Sequence, residues 1–262
     1  MSESKTGIIA LLTDFGTRDY FVGAMKGVIL TITCETQIVD ITHEIEPQNI
    51  KSAAFTLKSC YRNFPEKTIF VAVVDPGVGS NRKAILCETE KYYFVAPDNG
   101  LLSFIYDETK DFRVYELTNK KYFLPSVSRT FHGRDIFAPV AAHLSRGVKP
   151  NGLGAEIKDY IKLSGNQPRR ISANIIEGEI IHTDHFGNLI TNLTAEDLPE
   201  KFVLRVGERE ITKAVEYFAE AETGEIFVIA GSAGNLEIAA FKDSAAKILK
   251  ARTGMNIRLE KL

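Results

Sequence analysis

Apolar runs and amphipathic stretches alternate through the first half of the chain. Gly7–Leu12 is apolar and ends at Thr13-Asp14-Phe15-Gly16. Phe21–Ile32 follows, with Val22, Met25, Ile29 and Ile32 at helical spacing. Gln37–Ile41 reads as a short strand, and Asn49 is placed to cap a helix that reaches about Tyr61. Thr68–Val74 is the next strand. Its small apolar residues, Val71-Ala72-Val73-Val74, suit a strand buried on both faces of a parallel sheet. Pro76-Gly77 stops it, because proline lacks an N–H and glycine tolerates positive φ. Ala84–Glu88, Tyr92–Ala96 and Phe112–Leu117 read as further strands, and Leu101–Tyr106 and Ile136–Leu144 as helices. The alternation predicts an α/β domain with a mostly parallel central sheet covered on both faces.

The pattern then changes. Leu163–Arg170 is polar and bears Pro and Gly, the profile of a linker. Beyond it short strands are separated by turns: Ser172–Ile181, Leu189–Asn192, Phe202–Val206, Ile226–Ile229, Leu236–Ala240 and Met255–Leu259, with one helix around Ser244–Ala251. Many short strands predict a smaller all-β, barrel-like domain. The expected division is therefore residues 1–165 and 166–262.

Composition narrows the class. The chain has 262 residues, 44% apolar and 25% charged, enough to bury a sizeable core. A net charge of −2 gives no electrostatic footprint for nucleic acid. No apolar run approaches a membrane span, and the polar start Met1–Thr6 does not read as a signal peptide. Three dispersed cysteines, Cys34, Cys60 and Cys87, suit a reducing cytoplasm and argue against a zinc knuckle.

Candidate chemistry gathers at the ends of elements. Asp14 and Asp75 each close an apolar strand, the place where open α/β sheets hold ligands. Arg82 follows the Asp-Pro-Gly turn, and His132 precedes a helix in Thr130-Phe131-His132-Gly133-Arg134-Asp135. Alone, each is also compatible with a plain turn or an exposed helix start. In the second half, His182-Thr183-Asp184-His185-Phe186-Gly187-Asn188 has two histidines and an acid, but no third histidine nearby for a metal. The same residues suit an organic ligand better. A carboxylate takes an ammonium, a ring stacks on a base, and an amide reads a base edge. Gly231-Ser232-Ala233-Gly234-Asn235-Leu236-Glu237 is a second turn cluster.

Taken together, Leu12–Gly16, Val74–Gly79, Ala96–Leu102, Thr130–Asp135, Asp184–Asn188 and Ser232–Ala239 resemble the S-adenosylmethionine hydroxide adenosyltransferases, relatives of fluorinase and chlorinase. The resemblance implies an N-terminal α/β domain, a C-terminal β domain and a homotrimer with its sites between subunits. It places a catalytic triad on Asp75, Arg82 and His132. It places a ribose contact on Asp14, a methionine-ammonium contact on Asp184, an adenine stack on Phe186, an adenine-reading amide on Asn188, and a methionine-carboxylate contact on Ser232. An arginine that some relatives carry after the serine is Ala233 here.

The implied reaction is attack of water or hydroxide on C5′ of S-adenosyl-L-methionine, giving adenosine and L-methionine. The sulfonium leaves as a neutral thioether, so the chemistry asks for no metal, cofactor or leaving-group acid. Asp75 would accept a hydrogen bond from the water, with Arg82 and His132 fixing it. A halogenase is the alternative within the family. There, tyrosines match Asp75 and His132, and a halide-holding serine matches Gly133. A non-catalytic sensor of the same ligand has no need of Arg82 or His132. A metal-dependent hydrolase built on Asp14, Asp75 and His132 is a third reading.

Overall fold

The computed structural model describes residues 7–163 and 167–262. Two compact units emerge, Met1–Leu163 and Ser164–Leu262. The polar start at 1–6 and the middle of the expected linker, with the expected boundary at 165/166, lie outside the described residues.

In the first unit the strands are β1 (Ile8–Thr13), β2 (Gln37–Thr42), β3 (Ile69–Val73), β4 (Ala84–Thr89), β5 (Tyr93–Pro97), β6 (Phe112–Glu116) and β7 (Glu156–Ile157). The helices are α1 (Phe21–Ile32), α2 (Ile50–Cys60), α3 (Ser103–Glu108) and α4 (Ala138–Ser145). The sheet order is β2-β1-β3-β5-β4-β6-β7. β1, β2, β3, β5 and β6 run one way, and β4 and β7 run against them. The expected mostly parallel sheet is thus mixed on one side. The short connection 90–92 permits only a hairpin between β4 and β5, since a parallel pair needs a long crossover.

Both faces are covered, which is why these strands read as unbroken apolar runs. Ile9, Leu11, Val71 and Val73 pack with Met25 and Ile29 of α1 and with Val140 and Ala141 of α4. Ala10, Leu12, Phe70, Ala72 and Val74 face the other way, onto Ala53 and Leu57 of α2 and Phe104 and Ile105 of α3. α2 starts as its sequence predicts, with Asn49 Oδ1 accepting the Ser52 N–H at 3.0 Å. α4 starts differently from expectation. Gly133–Phe137 forms a π-helical turn that runs into α4, with His132 at its head. Pro139 has no N–H to return to the Asp135 carbonyl, and that carbonyl instead accepts Leu124 N–H at 2.9 Å.

The named strands of the second unit all pair antiparallel. Its strands are β8 (Arg169–Ser172), β9 (Ile175–Thr183), β10 (Leu189–Thr194), β11 (Phe202–Val206), β12 (Arg209–Ile211), β13 (Ile226–Ala230), β14 (Asn235–Ala240) and β15 (Asn256–Lys261). The order is β12-β11-β15-β9-β10-β14-β13, with β8 on β9. A bridge between Ala214 and Val228 brings the sheet close to closure. Ile180, Leu189, Leu193, Val228, Ile238 and Leu259 fill the interior of this barrel-like sheet. β9 turns from β15 to β10 at Gly178, where a Cβ would stand 2.7 Å from Asn192 Oδ1.

Phe70 is fully buried and stacks on Phe94, with ring centroids 5.2 Å apart. Phe70→Ala is expected to lower unfolding free energy by about 3–5 kcal/mol in a urea melt. Val39→Ala, at a largely exposed position, is expected to change it by no more than about 0.5 kcal/mol.

Candidate active site

The chain leaves β1 through α1 to β2 on one side, then returns through α2 to β3 on the other side of β1. That reversal makes the carboxyl ends of β1 and β3 a topological switch point, where open α/β sheets form a ligand crevice. Thr13 pairs with Val73, so Asp14 and Asp75 leave adjacent strands at the same edge.

Asp75 and Arg82 are joined by a tight loop. Val78 N–H donates to the Asp75 carbonyl at 3.2 Å and Ser80 N–H to the Gly77 carbonyl at 3.1 Å. Gly79 has φ +78°, and a Cβ there would collide with the Arg129 carbonyl. Only glycine fits, which fixes the loop against residues 128–131. The loop brings Arg82 back onto Asp75. Nε donates to Oδ1 at 3.0 Å, and Nη2 donates to Oδ2. The two side chains are 5% and 9% exposed, so the fork is nearly dry. Asn99 Nδ2 donates to the Val74 carbonyl at 2.8 Å and pins the strand end from which Asp75 projects.

His132 completes the group. Arg82 Nη2 lies 2.8 Å from His132 Nδ1. A guanidinium only donates, so Nδ1 accepts and the neutral ring carries its proton on Nε2. Burial first, and then the Arg82 charge, push His132 below the ordinary imidazole range, against opposing pulls from Asp75, Asp135 and the Ser128 backbone. The Phe137 ring lies 5.3 Å from the guanidinium and closes a third side. Asp75, Arg82 and His132, fifty-seven positions apart in sequence from first to last, are thus one connected group. Asp14 is anchored separately, its Oδ2 accepting the Gln48 N–H at 2.8 Å.

The other residues singled out in the sequence lie in the second unit. Asp184 organises the turn between β9 and β10. Its Oδ1 accepts from Phe186 N–H at 2.9 Å and Asn188 N–H at 2.8 Å, and its Oδ2 accepts from Asn188 Nδ2 at 2.8 Å. Gly187 has φ +85°, and a Cβ there would strike Ser244. Phe186 is left 74% exposed beside a cavity of about 560 Å³ that Asn188, Phe218, Lys242, Ser244 and Lys247 also line. Ser232 is exposed in the hairpin turn between β13 and β14. His182, Asp184 and His185 do not form a metal set. Among the described residues no three His, Cys, Asp or Glu side chains gather as metal ligands.

Phe218 escaped sequence reasoning, and Glu237, read only as part of a turn cluster, was given no role there. Phe218 faces the Phe186 cavity from a segment with no apolar periodicity. Glu237 lies close enough to Asp184 for their charges to repel, and burial first, then Asp184, push its carboxyl up. Its carboxylate occupies the space a Cβ at Gly231 would need.

The His132 geometry has a pH signature. In the folded state the ring resists protonation, whereas the unfolded ring titrates near its ordinary 6.5. The unfolded chain therefore binds more protons below that value, and stability falls as pH drops below about 6.5. His143, lowered by burial and then by Arg146 and Lys121, acts in the same direction. His132→Asn is expected to keep an acceptor for Arg82 without titrating. Its melting temperature relative to wild type should therefore rise as pH is lowered from 7 to 5. Parallel melting curves for the two proteins across that range would contradict the assignment.

Comparison with known proteins agrees with this architecture. Residues 9–154 match the SAM hydroxide adenosyltransferase N-terminal domain, and residues 178–258 match its C-terminal domain. A relative from Methanocaldococcus jannaschii, named (R)-S-adenosyl-L-methionine hydrolase, is 37% identical over 95% of this chain and 94% of its own. A fluorinase from an Actinoplanes species is more distant, 29% identical over 76% of this chain and 75% of its own. A crystal structure of an uncharacterized conserved protein from Thermotoga maritima superposes with a TM-score of 0.89 at 38% identity, covering 97% of this chain and all of that one. The chain belongs to the SAM hydroxide adenosyltransferase family.

Proposed function

We propose that this protein hydrolyses S-adenosyl-L-methionine to adenosine and L-methionine. The observation that carries the reading is the dry Asp75–Arg82–His132 group at the sheet's switch point, beside Asp14. Water oxygen bonds to C5′, and the C5′–S bond breaks with its electron pair going to sulfur. Sulfur leaves as the neutral thioether of methionine, and the water's proton passes towards Asp75 and solvent. Asp75 uses one lone pair of each oxygen on Arg82 and keeps the others for the water. Arg82, held by Asp75 and His132, supplies fixed positive charge to the developing hydroxide. His132 acts by accepting from Arg82 and fixing its fork. Attack of hydroxide on a sulfonium cancels charge, so a water-poor site favours it.

Substrate contacts follow the resemblance: Asp14 on the ribose, Asp184 on the ammonium, Phe186 and Asn188 on adenine, and Ser232 on the methionine carboxylate. Phe218, across the cavity from Phe186, supplies a second aromatic wall for the base. The names of the relatives support the (R) configuration at sulfur for the substrate. The scheme needs no metal or cofactor, because a thioether is a good neutral leaving group and no oxygen must be polarised. The sparse free cysteines support a cytoplasmic setting.

Two observations disfavour halogenation. An ionised carboxylate at the nucleophile's position can orient water but repels a halide, an effect that Arg82 partly offsets. Two unit charges about 4 Å apart interact by ~4 kcal/mol at an effective dielectric near 20, and a fraction of that is already a large bias. A halide-holding side chain at Gly133 would also meet a tight fit: a Cβ there would stand 3.2 Å from Met25 Sδ and 3.3 Å from a Phe15 ring carbon, so one of them must shift by a few tenths of an ångström.

The test is product analysis by chromatography, with a chelator present, on S-adenosylmethionine of mixed sulfur configuration and at high chloride. The expected outcome is adenosine and methionine from the (R) epimer, exceeding any 5′-chloroadenosine by about 100-fold. Asp75→Ala, Arg82→Ala and His132→Ala are each expected to lower kcat by about 100-fold with KM little changed. Full turnover in any two of these variants would sink the triad.

We further infer a homotrimer with shared sites. The support is the family resemblance and the division of the proposed substrate contacts between two units. Mixing inactive Asp14→Ala with inactive Asp184→Ala protein should then restore up to about a quarter of the sites after subunit exchange. No recovered activity after verified exchange would contradict a shared site.

A further inference from the structure

The connection from β2 to α2 grips the turn that carries Asp14. Gly16 N–H donates to the His43 carbonyl at 2.7 Å, Thr17 Oγ1 donates to Glu44 Oε1 at 3.1 Å, and Gln48 N–H reaches Asp14 itself. Gln48 holds φ at +67°, a conformation unfavourable for a side chain, and its N–H is the one delivered to the carboxylate. Behind this strap lies a polar chain, buried at Thr13 and His43 and reaching the surface at Asp40 and Lys26, that the proposed chemistry does not use. Phe15 N–H donates to Thr13 Oγ1 at 3.2 Å, and Thr13 Oγ1 lies 2.9 Å from His43 Nδ1. His43 Nε2 lies 3.1 Å from Asp40 Oδ1, and Asp40 Oδ2 accepts from Lys26 Nζ at 2.5 Å. Thr13 is fully buried and His43 is 4% exposed.

One tautomer of His43 gives this chain a consistent order of donors. Asp40 is a carboxylate: burial would raise its pKa, but Lys26 and His43 beside it outweigh that and hold it below its ordinary value. A carboxylate against Nε2 favours the tautomer with the proton there. The 3.1 Å approach is off the N–H axis, leaving Nε2 without a well-aligned acceptor, so the contact is mainly electrostatic. In that tautomer Nδ1 accepts, and the Thr13 hydroxyl donates to it. That turns the Thr13 oxygen lone pairs towards the Phe15 N–H. The arrangement Asp–His–Thr is that of a nucleophilic triad, but this hydroxyl is fully buried and its oxygen is occupied by the backbone. It holds a structure and attacks nothing.

We infer that His43, acting through Thr13, is a positioning residue for substrate binding at Asp14. Thr13 and Phe15 flank Asp14, so the hydrogen bond between them fixes the peptide units from which that carboxylate projects. The same bond sets Phe15, whose ring backs Gly133 beside His132. The inference rests on the reading of Asp14 as a substrate contact.

The experiment compares steady-state kinetics of six variants on S-adenosylmethionine. Thr13→Val keeps shape and burial but removes the hydroxyl, and His43→Leu removes the ring acceptor. Thr13→Ser and His43→Asn keep an oxygen that can play the same part. Thr13→Val and His43→Leu are each expected to raise KM about tenfold, with kcat within about threefold of wild type. Thr13→Ser and His43→Asn are expected to stay within about threefold in both constants. The Thr13→Val, His43→Leu double variant should be no worse than the poorer single one, because both break one chain. An unchanged KM in Thr13→Val overturns the inference. So does a Thr13→Ser variant as impaired as Thr13→Val, which would mean the threonine serves packing alone. Asp14→Asn is the control: a raised KM there with an unchanged one in Thr13→Val rejects the positioning role only, whereas an unchanged KM in Asp14→Asn rejects the substrate reading of Asp14 and the inference with it.

Discussion

The guanidinium of Arg82 is the charge that the N-terminal unit is built to hold. A buried ion is costly unless its partner and its remaining donors are all satisfied. Asp75 takes two of those donors, His132 takes another, and the Phe137 face covers the plane. Each partner needs its own support. Asp75 stands on a strand whose end Asn99 pins, and Arg82 returns through a loop that only glycine at 79 allows. His132 stands at the head of a π-helical turn, a helix irregularity often found at functional sites. The proline and the misdirected carbonyl behind that turn follow from placing the imidazole there.

Much of this was legible because burial on two faces leaves little choice of residue. Leu11-Leu12 and Val71-Ala72-Val73-Val74 suit strands inside a covered sheet, and the acids that follow them mark its carboxyl edge. The pairing of Asp75 with Arg82 and His132 was not in the pattern. It came with the resemblance, and the geometry gives the physical reason for it. The elements that went unread are those whose stability comes from pairing alone. β8 is exposed along its whole length, β7 is two residues long, and β12 shows a single buried residue, so none of them carries a period to detect. Phe218 and Glu237 lacked a signal for another reason. Each acquires its meaning from a neighbour distant in sequence, Phe186 in one case and Asp184 in the other.

His43 shows the same limit from the opposite side. In sequence it is a histidine between a threonine and a glutamate, and nothing there distinguishes a ligand from a core residue. Its place is set by the parallel pairing of β1 with β2, whose register shifts so that Leu11 pairs with Asp40 and Leu12 with Thr42, and His43 meets Thr13 just beyond. Parallel register therefore determines which polar side chains can meet behind a strand end.

The two units treat their polar groups differently, and the difference fits the proposed division between chemistry and recognition. In the N-terminal unit the carboxylate and guanidinium are matched to each other and almost dry before any ligand arrives. Fixed dipoles and charges then meet the transition state without reorganising. In the C-terminal unit Asp184 and Asn188 are also matched, through the turn they close, but Phe186 projects into solvent with most of its ring exposed. That exposure leaves apolar area still to be removed from water, and a stacked base removes it. In the proposed function, chemistry falls to groups whose desolvation is complete on folding, and recognition to a ring whose desolvation waits for the ligand. On that proposal, the free energy gained at the ring would help to bind a charged substrate whose reaction needs groups that have already given up their water.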